Sequence, residues 1–203
     1  MINQNNNKLT THLEYFYQWE KTTPDAIFLC QPTGNSWYTL TYKQAGEEIR
    51  KMVSALYKLG LKKGDHIGIL SKNCYHWILS DLAIGMGGFI SIPYYASLPK
   101  AQLEEVINKS DIKLLFVGKL DTWDNKSEAI PTNVKVIKFP HYIGNAEIPL
   151  GLDWNTLISE ADIYKENFIP EINELWTILF TSGTTGSPKG VMLSYKASAV
   201  VFD

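Results

Sequence analysis

Apolar positions along the chain alternate between a helical and an extended period, and each change of period marks an element. From Tyr42 onward, Ala45, Ile49, Met52, Val53, Leu56 and Leu59 recur at helical spacing, with Thr41 and Gln44 placed as a capping box and Gly60 as the stop. Before it, Ala26–Cys30 and Ser36–Leu40 predict a hairpin around Pro32-Thr33-Gly34-Asn35. A helix from Thr11 to Lys21 would carry Leu13, Phe16 and Tyr17 on or near one face. Its aromatic content also fits a membrane-surface helix, but the few flanking basic residues favour core or domain-edge packing.

Beyond Lys63-Gly64-Asp65 strands and helices take turns. Strands are predicted at His66–Leu70, Phe89–Ile92, Ile112–Val117 and Val134–Ile137. Helices fall at Tyr75–Met86, after Pro99 (Leu103, Val106, Ile107), in a weaker stretch near Asp121–Ala129, and at Asp153–Ala161 with Asp153 as N-cap. Leu175–Phe180 reads as a buried strand, Gly190–Leu193 as a short one, and Ser194 as the cap of a helix from Tyr195 to Phe202. This βαβαβ rhythm predicts an α/β layered sandwich with a largely parallel sheet, in which ligands collect beyond the carboxyl ends of the strands.

Composition narrows the class without changing that picture. The chain has 203 residues, 45 % hydrophobic and 20 % charged, with a net charge of −2, which are the proportions of an ordinary globular protein. No basic run exceeds Lys62-Lys63, so nothing recommends nucleic acid as a partner. The Asn-rich start, Met1 to Lys8, is expected to be a flexible tail and lacks the apolar core of a signal peptide. Cys30 and Cys74 fit reduced thiols, and the expected location is cytoplasmic.

The richest chemistry lies at Thr181-Ser182-Gly183-Thr184-Thr185-Gly186-Ser187-Pro188-Lys189-Gly190. Hydroxyls, glycines and one lysine follow directly on an apolar strand. Backbone N–H groups, hydroxyl donors and a cation at a sheet edge suit polyphosphate. Gly183 and Gly186 allow close backbone approach, and Pro188 biases Ser187 toward extended geometry. A Walker-type loop needs Gly-Lys-Ser/Thr running straight into a helix, whereas here Lys189 follows Pro188 and a strand comes next. The bland alternative is a polar turn with no ligand. The lesser alternative for Lys189 is a salt bridge that only shapes the loop.

Other constellations are weaker. Cys74 and His76 are two apart on a predicted helix, pointing to different faces, so no metal site is assigned. His12, His66, His76 and His141 fall in different elements, and Asp121 and Asp124 read as a solvated helix start.

The stretch from Thr181 to Gly190, with Val191 after it, resembles the phosphate loop of the adenylate-forming (AMP-binding) superfamily. The likeness extends to Leu40-Thr41-Tyr42, to Leu59–Asp65, to Leu70–Trp77, to Asp81–Gly88, to Ser91–Tyr95 and to Leu103–Val117. These middle blocks look most like bacterial long-chain fatty acyl-CoA synthetases. The chain departs from many relatives at Tyr195 and Ala197, where His and Asn are common.

The resemblance implies ATP, with Mg²⁺, and coenzyme A acting with a fatty acid: an acyl adenylate forms first, then a thioester. It assigns Thr181, Ser182, Thr184 and Thr185 to hydroxyl contacts with the β- and γ-phosphates. Gly183 and Gly186 would give backbone approach, Ser187 and Pro188 would complete the cofactor-binding loop, and Lys189 would supply charge. No catalytic residue is assigned within the chain. Residues 1–203 are expected to be the N-terminal portion of the AMP-binding domain, roughly the first third of such an enzyme, inactive alone and without the C-terminal lysine domain. Weak membrane-surface association of the full enzyme and a homodimer are further partner expectations. The alternatives are an adenylating enzyme for another carboxylic acid, and a natural non-catalytic nucleotide-binding or interaction module.

Overall fold

Thr11 opens the first helix by a device that sequence reasoning had placed only at Thr41. The structure, a computed structural model, describes residues 9–181 and 187–202. The Thr11 hydroxyl accepts from the Glu14 N–H, and the Glu14 carboxylate accepts from the Thr11 N–H, a reciprocal box that starts α1 (His12–Thr22). The hairpin β1 (Ile27–Thr33) and β2 (Ser36–Thr41) follows, turning at Gly34, whose φ is +60°. Thr41 and Gln44 then box the start of α2 (Tyr42–Lys58).

The alternating part is β3 (His66–Ser71), α3 (Tyr75–Met86), β4 (Ile90–Tyr94), α4 (Lys100–Ser110) and β5 (Ile112–Gly118), then a 3-10 helix at Asp124–Ala129 and β6 (Lys135–Lys138). A two-residue strand β7 (Leu152–Asp153) leads into α5 (Trp154–Glu160), and β8 (Leu175–Thr181), β9 (Lys189–Ser194) and α6 (Tyr195–Phe202) close the described chain. The main sheet has seven strands in the order β7-β6-β5-β3-β4-β8-β9. All neighbours are parallel except β8 and β9, which form an antiparallel hairpin. The expected α/β sandwich with a largely parallel sheet is therefore present.

Successive residues of β5 show how the layers arise. Leu114 and Phe116 join one core with α1, α2, α3 and Trp154 of α5, while Leu115 and Val117 join the other with Leu103, Val106 and Ile107 of α4. A strand covered on both faces is apolar where both layers meet it, which is why Leu114–Val117 shows no alternation, while Lys113 near its start is exposed. At Gly68 in β3 a Cβ would lie 2.6 Å from the Leu115 side chain and 2.8 Å from the Tyr94 ring, so the central strand keeps a glycine for packing.

Two expectations change. Leu175–Phe180 is not a fully buried strand: only Thr177 and Phe180 are buried, and Leu179 remains 38 % exposed. Its parallel contact with β4 is a single register pair, Ser91 with Thr177, and its other neighbour is the exposed β9. The stretch near Asp121–Ala129 forms only a 3-10 helix from Asp124, consistent with six residues too few and too polar to sustain an α-helix. β7 was not foreseen because two residues carry no period. The polar tail, residues 1–8, lies outside the described residues.

Candidate functional site

β8 and β9 converge on the glycine-rich segment, and their ladder ends with Thr181 paired to Lys189. Thr181 and Lys189 are both exposed. No hydrogen bond or ion pair ties the Lys189 ammonium to any described residue, so the loop-shaping salt bridge finds no partner among them. Ser182, Gly183, Thr184, Thr185 and Gly186 lie outside the described residues. Ser187 and Pro188, at the returning shoulder, rest against α4. The Ser187 hydroxyl donates to Glu105 Oε1 at 2.7 Å, and Lys109 Nζ donates to Ser187 Oγ at 2.5 Å and to the Pro188 carbonyl at 3.3 Å. Lys109 beside it, and then the Ser187 hydroxyl, hold the Glu105 carboxyl below the usual range.

Two cavities open at this edge of the sheet. One, of about 470 Å³, is bounded by Tyr94, Tyr95, Gln102 and Val106 together with Thr181 and Pro188. The other, of about 630 Å³, lies beside Ser71, Lys72, Trp77, Lys119 and Leu179. Pro93, Tyr94, Tyr95 and Phe180 border both, so the end of β4 divides them. Tyr94 is anchored by a hydrogen bond from its hydroxyl to Ser110 Oγ at 2.5 Å, and burial raises its phenol far above the ordinary value. Tyr95, next in sequence, is 67 % exposed. These carboxyl-terminal strand ends are where ligands gather in such sheets.

The sequence singles out Thr181, Ser187, Pro188 and Lys189 but not Glu105, Lys109, Tyr94 and Tyr95, which lie at the same sheet edge. Glu105 and Lys109 were legible only as an i,i+4 helical pair, since their partner Ser187 is 82 residues from Glu105 and 78 from Lys109. Cys74 and His76 take separate partners: Cys74 Sγ meets Ser71 Oγ at 3.7 Å, and His76 Nδ1 meets the Tyr142 hydroxyl at 2.7 Å. Tyr195 is buried against His12 and Trp176, away from the loop, so it packs the core. Asp121 is exposed and pairs with Lys72.

A sequence profile described as AMP-binding enzyme matches residues 16–202. The chain belongs to the AMP-binding enzyme family. It is 34 % identical over 168 residues to fatty acyl-CoA synthetase A of Dictyostelium discoideum, an alignment covering 77 % of this chain and 25 % of that protein. It is 31 % identical over 179 residues to the long-chain-fatty-acid–CoA ligase ACSBG2 of Rattus norvegicus, covering 82 % and 26 %. The chain thus spans about a quarter of the length of these relatives, rather less than the expected third. Among solved structures, acetoacetyl-CoA synthetase from Streptomyces lividans superposes with a TM-score of 0.75 at 20 % identity, over 91 % of this chain and 30 % of that one. An acyl-CoA synthetase of Brucella canis gives 0.73 at 20 % identity, over 88 % and 32 %. These likenesses establish the fold of the AMP-binding family member.

Proposed function

We propose that the chain is the N-terminal portion of the AMP-binding domain of an ATP-dependent long-chain fatty acid–CoA ligase, carrying its phosphate loop and incomplete as a catalyst by itself. The observation that carries this reading is the placement of Lys189: exposed, directly across the ladder from Thr181, unpaired among the described residues, and next in sequence to Pro188, which with Thr181 borders a cavity at the sheet edge. A cation with no partner among the described residues, beside a glycine- and hydroxyl-rich segment, suits a polyphosphate. The relatives named as fatty acyl-CoA synthetases supply the class of acid.

In the first step a fatty carboxylate oxygen attacks the α-phosphorus of ATP. The new C–O–P bond forms as the bond to the bridging oxygen of the β-phosphate breaks, and pyrophosphate leaves. In the second step the sulfur of coenzyme A attacks the acyl carbonyl and AMP departs, giving the thioester. Negative charge grows on the leaving oxygens in the first step, so fixed donors and cations lower that barrier. Thr181, Ser182, Thr184 and Thr185 would donate hydroxyls to the β- and γ-phosphates, Gly183 and Gly186 would admit the backbone, and Lys189 would neutralise charge. Magnesium would enter bound to the nucleotide. Among the described residues no group of three His, Cys, Asp or Glu side chains is placed to hold a metal, so no step is assigned to it here.

No helix among the described residues is long and apolar enough to cross a membrane. A cytoplasmic location, a loose membrane association and a homodimer belong to the same proposal. The test is ATP–pyrophosphate exchange by the intact polypeptide that carries this sequence, offered a panel of aryl, medium-chain, long-chain and amino acids. Exchange that depends on a long-chain fatty acid is expected. Exchange with an aryl or amino acid alone would reassign the substrate, and none with any acid would end the ligase reading.

A further inference from the structure

We propose that Glu105 and Lys109 of α4 form a latch that positions the returning shoulder of the glycine-rich loop, and thereby sets the affinity for the nucleotide's polyphosphate. The inference rests on the reading of that loop as a phosphate loop.

Three groups close a triangle. Glu105 Oε1 accepts from Lys109 Nζ at 2.8 Å and from Ser187 Oγ at 2.7 Å, while Lys109 Nζ also donates to Ser187 Oγ at 2.5 Å. A fourth bond runs from Lys109 to the Pro188 carbonyl at 3.3 Å. The opposite face of α4 supplies Leu103, Val106, Ile107 and Ser110 to the core, so the helix that bears the latch is itself fixed to the sheet. Gln102 and Val106 of the same helix border the cavity that Thr181 and Pro188 line.

An exposed i,i+4 ion pair does little for a helix on its own. What singles this one out is its third partner, a loop residue 78 positions away from Lys109, reached through charge-assisted bonds. The loop is then held at two points: by the ladder pair of Thr181 with Lys189, and by the latch at Ser187 and Pro188. Fixing a loop before its ligand arrives removes part of the ordering cost of binding. Such a contribution is made equally in the ground and transition states, so its loss raises KM for ATP and leaves kcat nearly unchanged. Glu105 and Lys109 are therefore positioning residues.

The experiment uses the intact ligase with Glu105→Gln, Lys109→Met, the double variant and Lys109→Arg. Each single change should raise the KM for ATP by roughly three- to tenfold, with the KM for the acid, kcat and the melting temperature unchanged. The double variant should be no worse than the worse single, because both remove one shared unit. Lys109→Arg should recover most of the loss, since it keeps the charge and can reach both oxygens. Hydrogen exchange of a peptide spanning residues 181–190 should quicken in Glu105→Gln. An unchanged or lowered KM for ATP in both single variants overturns the latch. Lys189→Ala, measured alongside, separates the two ideas. If it impairs adenylation while the latch variants behave as wild type, only the latch fails; if it leaves adenylation intact, the loop assignment itself fails.

Discussion

Thr181 and Lys189 face one another as the last pair of the β8–β9 ladder, so the lysine enters the glycine-rich segment at a fixed height on the sheet edge. A cation placed by a ladder rather than by a mobile loop is preorganised for charge that develops on a leaving phosphate. Lys189→Ala in the proposed ligase should therefore slow adenylate formation more than thioester formation, by about 10²-fold if it matches the loss of one oxyanion-type donor. Pyrophosphate exchange and single-turnover thiolysis of preformed acyl adenylate measure the two steps separately. Equal slowing of both would assign Lys189 to the shape of the loop.

Gly46 stands in the second turn of α2, inside the helix, where glycine costs about 1 kcal/mol relative to alanine. The reason is Glu20: a Cβ on residue 46 would lie 2.0 Å from Glu20 Oε1. Glu20 receives Arg50 through both oxygens, at 3.1 and 2.7 Å, and Arg50 also reaches the carbonyls of Tyr164 and Glu166 and the Asn167 side chain. One largely buried fork thus joins α1, α2 and the segment before β8. Gly46→Ala should lower stability by about 1–3 kcal/mol despite its better helix propensity, because the bulk displaces Glu20 and strands Arg50. Combined with Glu20→Ala it should cost far less than the sum, and a urea-unfolding cycle reads the coupling. Strict additivity would show that Glu20 swings aside freely.

Most of the sheet and helices were legible because local signals agreed: a capping box at Thr41 and Gln44, a glycine stop at Gly60, and apolar strands spaced by amphipathic helices. The Thr11 and Glu14 box obeys the same rule, but Thr10 and Thr11 stand side by side before an aromatic-rich helix, so its exact start is less sharply marked in the sequence. β8 misled by composition. Leu175-Trp176-Thr177-Ile178-Leu179-Phe180 is apolar enough for a central strand, yet sits beside an exposed hairpin partner. The latch around Ser187 was beyond sequence reasoning, since hydrogen bonds spanning about 80 residues leave no local period.

Met192 and Val191 of β9 are 66 % and 44 % exposed, Leu179 of β8 is 38 % exposed, and Val200 and Val201 of α6 are 60 % and 79 % exposed. β9 is also the terminal strand of the sheet, with its outer edge unpaired among the described residues. Apolar side chains on an open edge favour strand-to-strand association. The 203-residue polypeptide should self-associate with concentration in sedimentation velocity, and Met192→Lys should shift it toward monomer without changing its circular dichroism. A wild-type chain that stays strictly monomeric would remove this face as an interface.

His76 couples acid stability to the core. Its ring is buried between Phe139, Trp154 and Tyr75, with Nδ1 on the Tyr142 hydroxyl, and burial lowers its pKa to about 3. His12, partly buried against Trp176 and Tyr195, is lowered to about 4 by the same cause. In the unfolded chain both titrate near 6.5, so a folded pKa below that value gives stability that is complete above pH 6.5 and lost as pH falls toward 4 and 3. Asp81 runs the opposite way: burial raises its carboxyl to about 6 although Ser91 donates to it, so its contribution is complete below about 3.8 and lost as pH rises through 6. Between pH 6.5 and 4 the two histidines pull the urea midpoint down, against Asp81 and against Glu48, whose carboxyl burial also raises. His76→Gln should lower the midpoint at pH 7.5, by loss of packing, while flattening that acid slope. His12→Gln should flatten it further. Parallel curves for wild type and His76→Gln across this range would mean that the buried ring does not govern the acid response.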